Sequence, residues 1–233
     1  MENLWLAALG AADRDRLKPH LETRDFVHGQ VLFGEGQDVD CVWFPTTGVV
    51  SLMTLLDDDK LVETAVIGRE GVVGVTCGPL NARAASRAVA LTQGQAACCP
   101  ARAFSEAMSA SEALRLALAR FTEALMAQVQ QVAACNARHA LDERLARWLL
   151  SLHDRVGDTR FDLTQADIAG MLGVRRATVS EVSASLEDRR LIERGRGWVR
   201  VLDRTGLKAA SCGCYGQMRA VLEELDLPTP QAA

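Results

Sequence analysis

Residues 163–188 constrain this chain more than any other stretch. Thr164 is placed to cap a helix, and Asp167, three residues on, can bond back to the cap. Ile168, Ala169 and Leu172 then share one face. Gly173 follows, where a left-handed backbone costs least. A second helix opens near Arg175 and carries Val179, Val182 and Leu186 at helical spacing. Two short helices joined by a tight turn are predicted: a helix-turn-helix.

The next segment, from Asp188 to Val201, reads as strand, glycine-rich turn and strand, a wing after the second helix. Residues 175–200 hold seven Arg against four acids, a local +3 in a chain whose net charge is −4. A wholly basic nucleic-acid binder is excluded, but a local basic surface is not. In such motifs the start of the second helix meets base edges in the major groove. Arg175, Arg176, Thr178 and Ser180 occupy that start or its polar face. Arginine bonds guanine O6 and N7 together. Thr164 and Gln165 open the first helix and are expected to hold phosphates. Arg194 and Arg196 on the wing are expected to touch the flanking backbone. The arginine bias, 23 Arg to 3 Lys, also fits a GC-rich coding sequence.

Upstream, residues 1–25 read as short helices with Asp13 as a candidate cap. From Val27 to about Pro100, short apolar runs are broken by turn signals such as Gly34–Asp38, Asp57–Lys60, Gly78-Pro79 and Gln93-Gly94. Turns every 8–12 residues or so predict a β sandwich or barrel. Val49–Leu56 and Leu61–Val66 form the expected hairpin. A helical pattern follows, with Leu114, Leu118, Phe121, Leu125, Val132, Cys135 and His139 at 4-3-4-7-3-4 spacing and Gln128 in the gap. Two packings fit it: a coiled-coil seam with a second copy, or a helix laid on its own β domain. The first is taken as the expectation, giving a homodimer. Leu141, Leu145, Trp148, Leu149 and Leu152 mark the next helix, ended by Gly157-Asp158-Thr159. The resulting organisation is a β domain over 1–105, a dimerisation helix over 106–140, a winged helix-turn-helix over 141–205, and a tail over 206–233 with a short helix from Gly216 to Leu227.

This layout resembles the Crp/Fnr family of bacterial transcription regulators. The resemblance is strongest over Thr164–Ala169, Leu172-Gly173, Arg176–Ser180 and Leu186–Asp188. It implies an α+β chain: an N-terminal jelly roll of the cyclic-nucleotide-binding type, a long dimerisation helix and a C-terminal winged helix-turn-helix. It implies a homodimer on near-palindromic double-stranded DNA, with RNA polymerase as a further partner. The family pattern is matched at Arg176, Thr178, Val179 and Ser180. It is broken at Ala177, where a base-reading Glu usually stands, and at Glu181, where an Arg often stands. The family's usual operator is therefore not expected. The alternative is a sensing module whose winged domain binds protein.

The family's nucleotide pocket uses a Gly-Glu pair and an Arg-Ser/Thr pair. The matching positions here are Gly74 with Val75, and Ala84 with Ala85. A buried phosphate without a paired cation is costly. Arg83 or Arg87 reaches that place only after a register shift. A pocket without cAMP is expected, with Gly68, Gly71 and Gly74 serving turns and close packing, and the effector is unknown. The N-terminal cysteines of cluster-binding relatives are missing, since the first cysteine is Cys41. His20, His28, His139 and His153 are weak haem-ligand candidates. Cys212 and Cys214 could bind a soft metal, but no further Cys or His lies near them in sequence, so neither a metal nor a cofactor is predicted. No nucleophile elbow, P-loop or zinc-protease motif occurs, so no enzyme is expected. The N-terminus lacks the pattern of a secretory signal and no apolar run reaches membrane-spanning length, which predicts a cytoplasmic chain.

Overall fold

The computed structural model describes residues 2–57, 60–75 and 83–227. Part of the expected Asp57–Lys60 turn and the Gly78-Pro79 turn lie outside the described residues.

Asn3 organises the N-terminus. Its Oδ1 accepts from Leu6 N at 2.9 Å and caps α1 (Leu4–Ala8). Its Nδ2 donates to the carbonyls of Pro45 and Gly71, so the cap is fastened to the β domain. Helix α2 (Ala11–Leu17) starts from Gly10, and Asp13 lies in its first turn instead of at the cap. A carboxylate there still favours the positive end of the helix.

Among the described residues seven strands follow: β1 (Glu22–Phe26), β2 (Val31–Phe33), β3 (Cys41–Thr47), β4 (Val50–Leu55), β5 (Leu61–Ile67), β6 (Arg87–Ala90) and β7 (Gly94–Pro100). They form two sheets, ordered β1-β7-β3 and β2-β6-β4-β5. Strand structure begins at Glu22, not Val27, because β1 is an exposed edge with only Phe26 buried, and its polar residues hide the alternation. The β4–β5 hairpin is present, pairing Val50 with Ile67 and Leu55 with Leu61. Trp5 stacks on Phe44 at 5.9 Å, joining α1 to the sheet. Gly71 and Gly74 serve packing and a turn, as expected: a Cβ at Gly71 would lie 2.6 Å from the Phe121 ring, and Gly74 has φ +96°.

The expected 106–140 helix is two helices. Helix α3 (Ala101–Ala110) stops at Ser111, which turns extended and accepts from Leu114 N to cap α4 (Glu112–Arg138). The apolar face of α4 is the main correction. Leu114, Leu118, Phe121 and Leu125 belong to the same core as Phe44, Ile67 and Val72. Leu114 is 0% exposed and Phe121 3% in a single chain. Gln128 is also buried and donates to Val66 O at 3.2 Å. This face covers the jelly roll, so it cannot pair with a second copy. Val132, named with them, is half-buried on the same helix.

Helix α5 (Leu141–Val156) ends at Gly157 in the left-handed region, φ +71°. Then come β8 (Arg160–Phe161), α6 (Gln165–Leu172), α7 (Arg176–Asp188), β9 (Ile192–Gly195), β10 (Trp198–Val201), α8 (Arg204–Ala210) and α9 (Cys214–Glu223). The tail helix α9 starts two residues before the expected Gly216 and packs on α4 and α5.

Buried polar contacts join the two halves. Glu63 of β5 accepts from Trp148 Nε1 of α5 and from Ser51 Oγ of β4, both at 2.7 Å. Burial pushes its carboxyl from the ordinary 4.5 up to about 7, against the opposing pull of Ser51, Trp148, Arg147 and Arg155. An acid whose folded pKa is raised binds its proton more tightly in the folded state, so stability falls as pH rises across that interval. The loss accumulates from pH 4.5 to about 7 and amounts to about 3 kcal/mol. Glu63→Gln keeps the bond accepted from Trp148, reverses the one with Ser51 so that the amide donates to Oγ, and removes the titration. Urea unfolding at pH 5 and pH 8 or thereabouts should show a smaller difference for the variant than for the parent. An unchanged difference would place the titration elsewhere.

Candidate nucleic-acid interface

The helix-turn-helix is built as its local sequence dictates. Thr164 Oγ1 accepts from Asp167 N at 3.1 Å, and Thr164 N donates to Asp167 Oδ2 at 2.7 Å, which completes a capping box. Ile168, Ala169 and Leu172 are buried beneath α6. Gly173 closes that helix at φ +65°, and a Cβ there would also come within 3.3 Å of Val62. Val179, Ser183 and Leu186 bury the inner face of α7.

The start of α7 faces solvent. Arg175, Arg176, Ala177 and Thr178 are all exposed, as is Glu181. Arg175 takes the cap position without a side-chain capping bond, so its guanidinium is not used by the helix. Ser180 is less available: its Oγ donates to Arg176 O at 3.1 Å. Two guanidinium groups and a hydroxyl are therefore exposed at one helix end, with the small side chain of Ala177 between them.

The wing is fixed to α7 by Arg194. Its Nε donates to Glu187 Oε2 at 2.8 Å and its Nη1 to Ser180 O at 3.0 Å. That pairing holds the Glu187 carboxyl below the usual carboxylate range. Arg194 thus positions the wing on the helix, a role its sequence context did not show. Arg196 is exposed at the turn between β9 and β10, beside Gly197 at φ +85°. Trp198 is flanked by Arg160 and Arg200, whose guanidinium carbons lie 4.9 and 5.4 Å from its ring centre.

The first helix is engaged internally. Thr164 Oγ1 also contacts Asp167 Oδ2 at 2.7 Å, and Gln165 Oε1 accepts from Ser183 Oγ at 3.3 Å. His28 of the jelly roll brings Nε2 to 3.8 Å from Asp167 Oδ2. Ser51 Oγ lies 3.6 Å from Met171 Sδ. The jelly roll therefore covers one side of α6 in this arrangement, while the start of α7 stays open.

In the jelly roll, residues 76–82 lie outside the described residues, and with them Thr76, Cys77, Asn81 and Ala82. Of the candidate effector residues, Val75 is half-buried, while Arg83 and Ala85 are exposed. Ala84 is buried, with its N–H donating to Gln37 O. Arg87 is half-buried on β6, and its Nε has no hydrogen-bond partner among the described residues.

Comparison with known proteins agrees with this architecture. The cyclic nucleotide-binding domain family matches residues 23–126, and the Crp-like helix-turn-helix domain family matches residues 143–210. The HTH-type transcriptional regulator Cmr of Mycobacterium tuberculosis is 27% identical over 209 residues, covering 87% of this chain and 82% of Cmr. A crp/fnr-family regulator from Eubacterium rectale superposes with TM-score 0.71 at 18% identity, over 89% of this chain and 96% of that one. FixK2 from Bradyrhizobium japonicum gives 0.71 at 19% identity, over 83% and 98%. With both family domains in the family's order and the helix-turn-helix formed as described, the chain belongs to the Crp/Fnr family of transcription regulators and carries its DNA-binding domain.

Proposed function

We propose that the chain works as a cytoplasmic homodimer that reads a near-palindromic DNA site. The two α7 helices would enter successive major grooves about 34 Å apart. The observation that carries this reading is the open start of α7, with Arg175, Arg176 and Thr178 exposed together. Arg175 and Arg176 are assigned to bases or adjacent phosphates, Thr178 to a base or phosphate, and Arg196 to the flanking backbone. Thr164, Gln165, Ser180 and Arg194 hold these groups in place through their internal hydrogen bonds. RNA polymerase is the protein partner this reading implies.

Dimerisation uses α4 on the face opposite the one first expected. Leu116, Ala119, Glu123, Met126, Gln130, Ala133 and Ala137 repeat at alternating three- and four-residue spacing. All seven are exposed in the single chain, Leu116 at 56% and Met126 at 55%. That is the spacing of a two-stranded coiled coil. The cAMP response of the usual pocket is not assigned to this chain: Ala84 and Ala85 supply no cation for a phosphate.

The test is fluorescence anisotropy with promoter fragments across a salt series, for the wild type and Arg176→Ala. A steep salt slope is expected, because phosphate contacts release counterions. Loss of a bidentate arginine contact costs about 1–3 kcal/mol, roughly 5- to 150-fold at the preferred site. A flat salt slope with no effect of the substitution would instead favour a winged domain that binds protein.

A further inference from the structure

Sequence spacing gave Cys212 and Cys214 no further ligand. The fold supplies two. Cys135 and His139 lie one turn apart at the end of α4, and the loop between α8 and α9 brings Cys212 and Cys214 against them. Cys135 Sγ is 3.5 Å from Cys212 Sγ, and Cys214 Sγ is 3.5 Å from His139 Nδ1. The four ligand atoms all lie within 4.8 Å of one another. We propose that Cys135, His139, Cys212 and Cys214 form a closed tetrahedral site for a thiophilic divalent cation of the zinc class, and that the bound ion fastens the C-terminal tail to the hinge between α4 and α5.

The geometry fits that ion. Zinc–thiolate bonds of about 2.3 Å and zinc–imidazole bonds of about 2.0 Å in a tetrahedron put ligand atoms roughly 3.5–3.8 Å apart. Two contacts already have that spacing, and the others need only small movements. Three cysteines and one histidine fill four positions, so the site is structural and leaves no place for a substrate. Binding would release the three thiol protons to solvent while His139 ligates as the neutral ring. Gln131 Nε2, 2.9 Å from Cys214 Sγ, supplies the kind of outer hydrogen bond that orients a ligating thiolate.

A second observation concerns charge. Three thiolates, a neutral imidazole and a divalent cation sum to −1. Arg144 and Arg147 are buried in the neighbouring first turns of α5, and the Nε of each has no hydrogen-bond partner among the described residues. Arg144 lies close enough for its charge to act on Cys135 and Cys212, and Arg147 acts on Cys135. Buried cations of this kind call for an anionic neighbour; Arg147 has one in Glu63, and for Arg144 the loaded site would provide it. Arg144 Nη2 also donates to Leu172 O at 2.7 Å, at the end of α6 just before the Gly173 turn. The site is thus one residue away, through Arg144, from the turn that sets α7.

The full chain, purified under reductant and stripped with chelator, would be titrated with Co2+ and then Zn2+. The expected result is one ion per chain and the intense visible bands of tetrahedral, thiolate-bound cobalt, bleached by zinc. Zinc should also raise the thermal midpoint, as a ligand that prefers the folded state must. Cys214→Ser and His139→Gln should weaken binding by more than the roughly 10- to 100-fold typical of an outer-shell change. Wild-type chain with free thiols that shows no tetrahedral cobalt bands would overturn the proposal, however the variants fold. So would undiminished binding in both folded variants. The readout needs no DNA, so it stands or falls apart from the proposed DNA reading.

Discussion

Arg155→Ala is expected to destabilise the chain by about 3–5 kcal/mol, the cost of leaving a buried charge without its partner. Arg155 projects from α5 into the jelly roll, where its Nε donates to Glu70 Oε1 at 2.7 Å. The two side chains are 6% and 14% exposed. Its Nη1 donates to Ser151 O at 2.9 Å, and Gly68 N donates to the same Glu70 oxygen at 3.0 Å. Truncating the arginine removes two bonds and strands a carboxylate. A Cβ at Gly68 would meet Arg155 side-chain carbons at 3.0–3.1 Å, so the guanidinium stem is held closely as well. The control is the double substitution Arg155→Met with Glu70→Gln, which strands no charge and should recover much of the loss. Urea unfolding of Arg155→Met, Glu70→Gln and the double measures the coupling directly. If both singles lose less than about 1 kcal/mol, the pair behaves as a surface bridge and does not hold the domains together.

Glu63 and Glu70 show where sequence reading runs out. Both stand in a strand or turn whose neighbours are ordinary, and their partners Trp148 and Arg155 lie 85 residues away. Nothing local marks either acid as buried. The helix-turn-helix was legible for the opposite reason. Its cap, its turn glycine and its apolar spacing all lie within one short stretch, and each is a local requirement of the backbone. The Cys135–Cys212 approach spans 77 residues and follows from how α9 folds back on α4, which no spacing rule encodes. The exposed start of α7 was open to sequence reading, since Arg175, Arg176 and Thr178 fall on it by helical spacing, whereas nothing local showed that Arg194 is bonded to Glu187.

Helix α4 carries two heptad-like stripes, and periodicity does not say which one faces a partner. The stripe with Leu114, Leu118, Phe121 and Leu125 is the more apolar, so apolarity alone selects it as the seam. The jelly roll decides otherwise, since its own apolar face must be covered by something in the chain. The homodimer proposed above would then use the weaker stripe, rich in alanine, where small residues would let two helix backbones approach closely. Adjacent residues separate the two readings. Met126→Glu puts a charge at the centre of the exposed stripe, where a two-fold axis sets it near its own copy and like charges repel. The monomer fold should survive, because Met126 is 55% exposed. Sedimentation should then show monomers with native unfolding behaviour. Affinity for a two-half-site DNA should fall by about 10²- to 10⁴-fold, the gain that linking two modules provides. Leu125→Glu instead drives a charge into the jelly-roll core and should unfold the chain, by circular dichroism, before any question of assembly arises. If Leu125→Glu gave folded monomers while Met126→Glu left a dimer, the first stripe would be the seam after all, and the cover over the jelly roll would have to come from elsewhere.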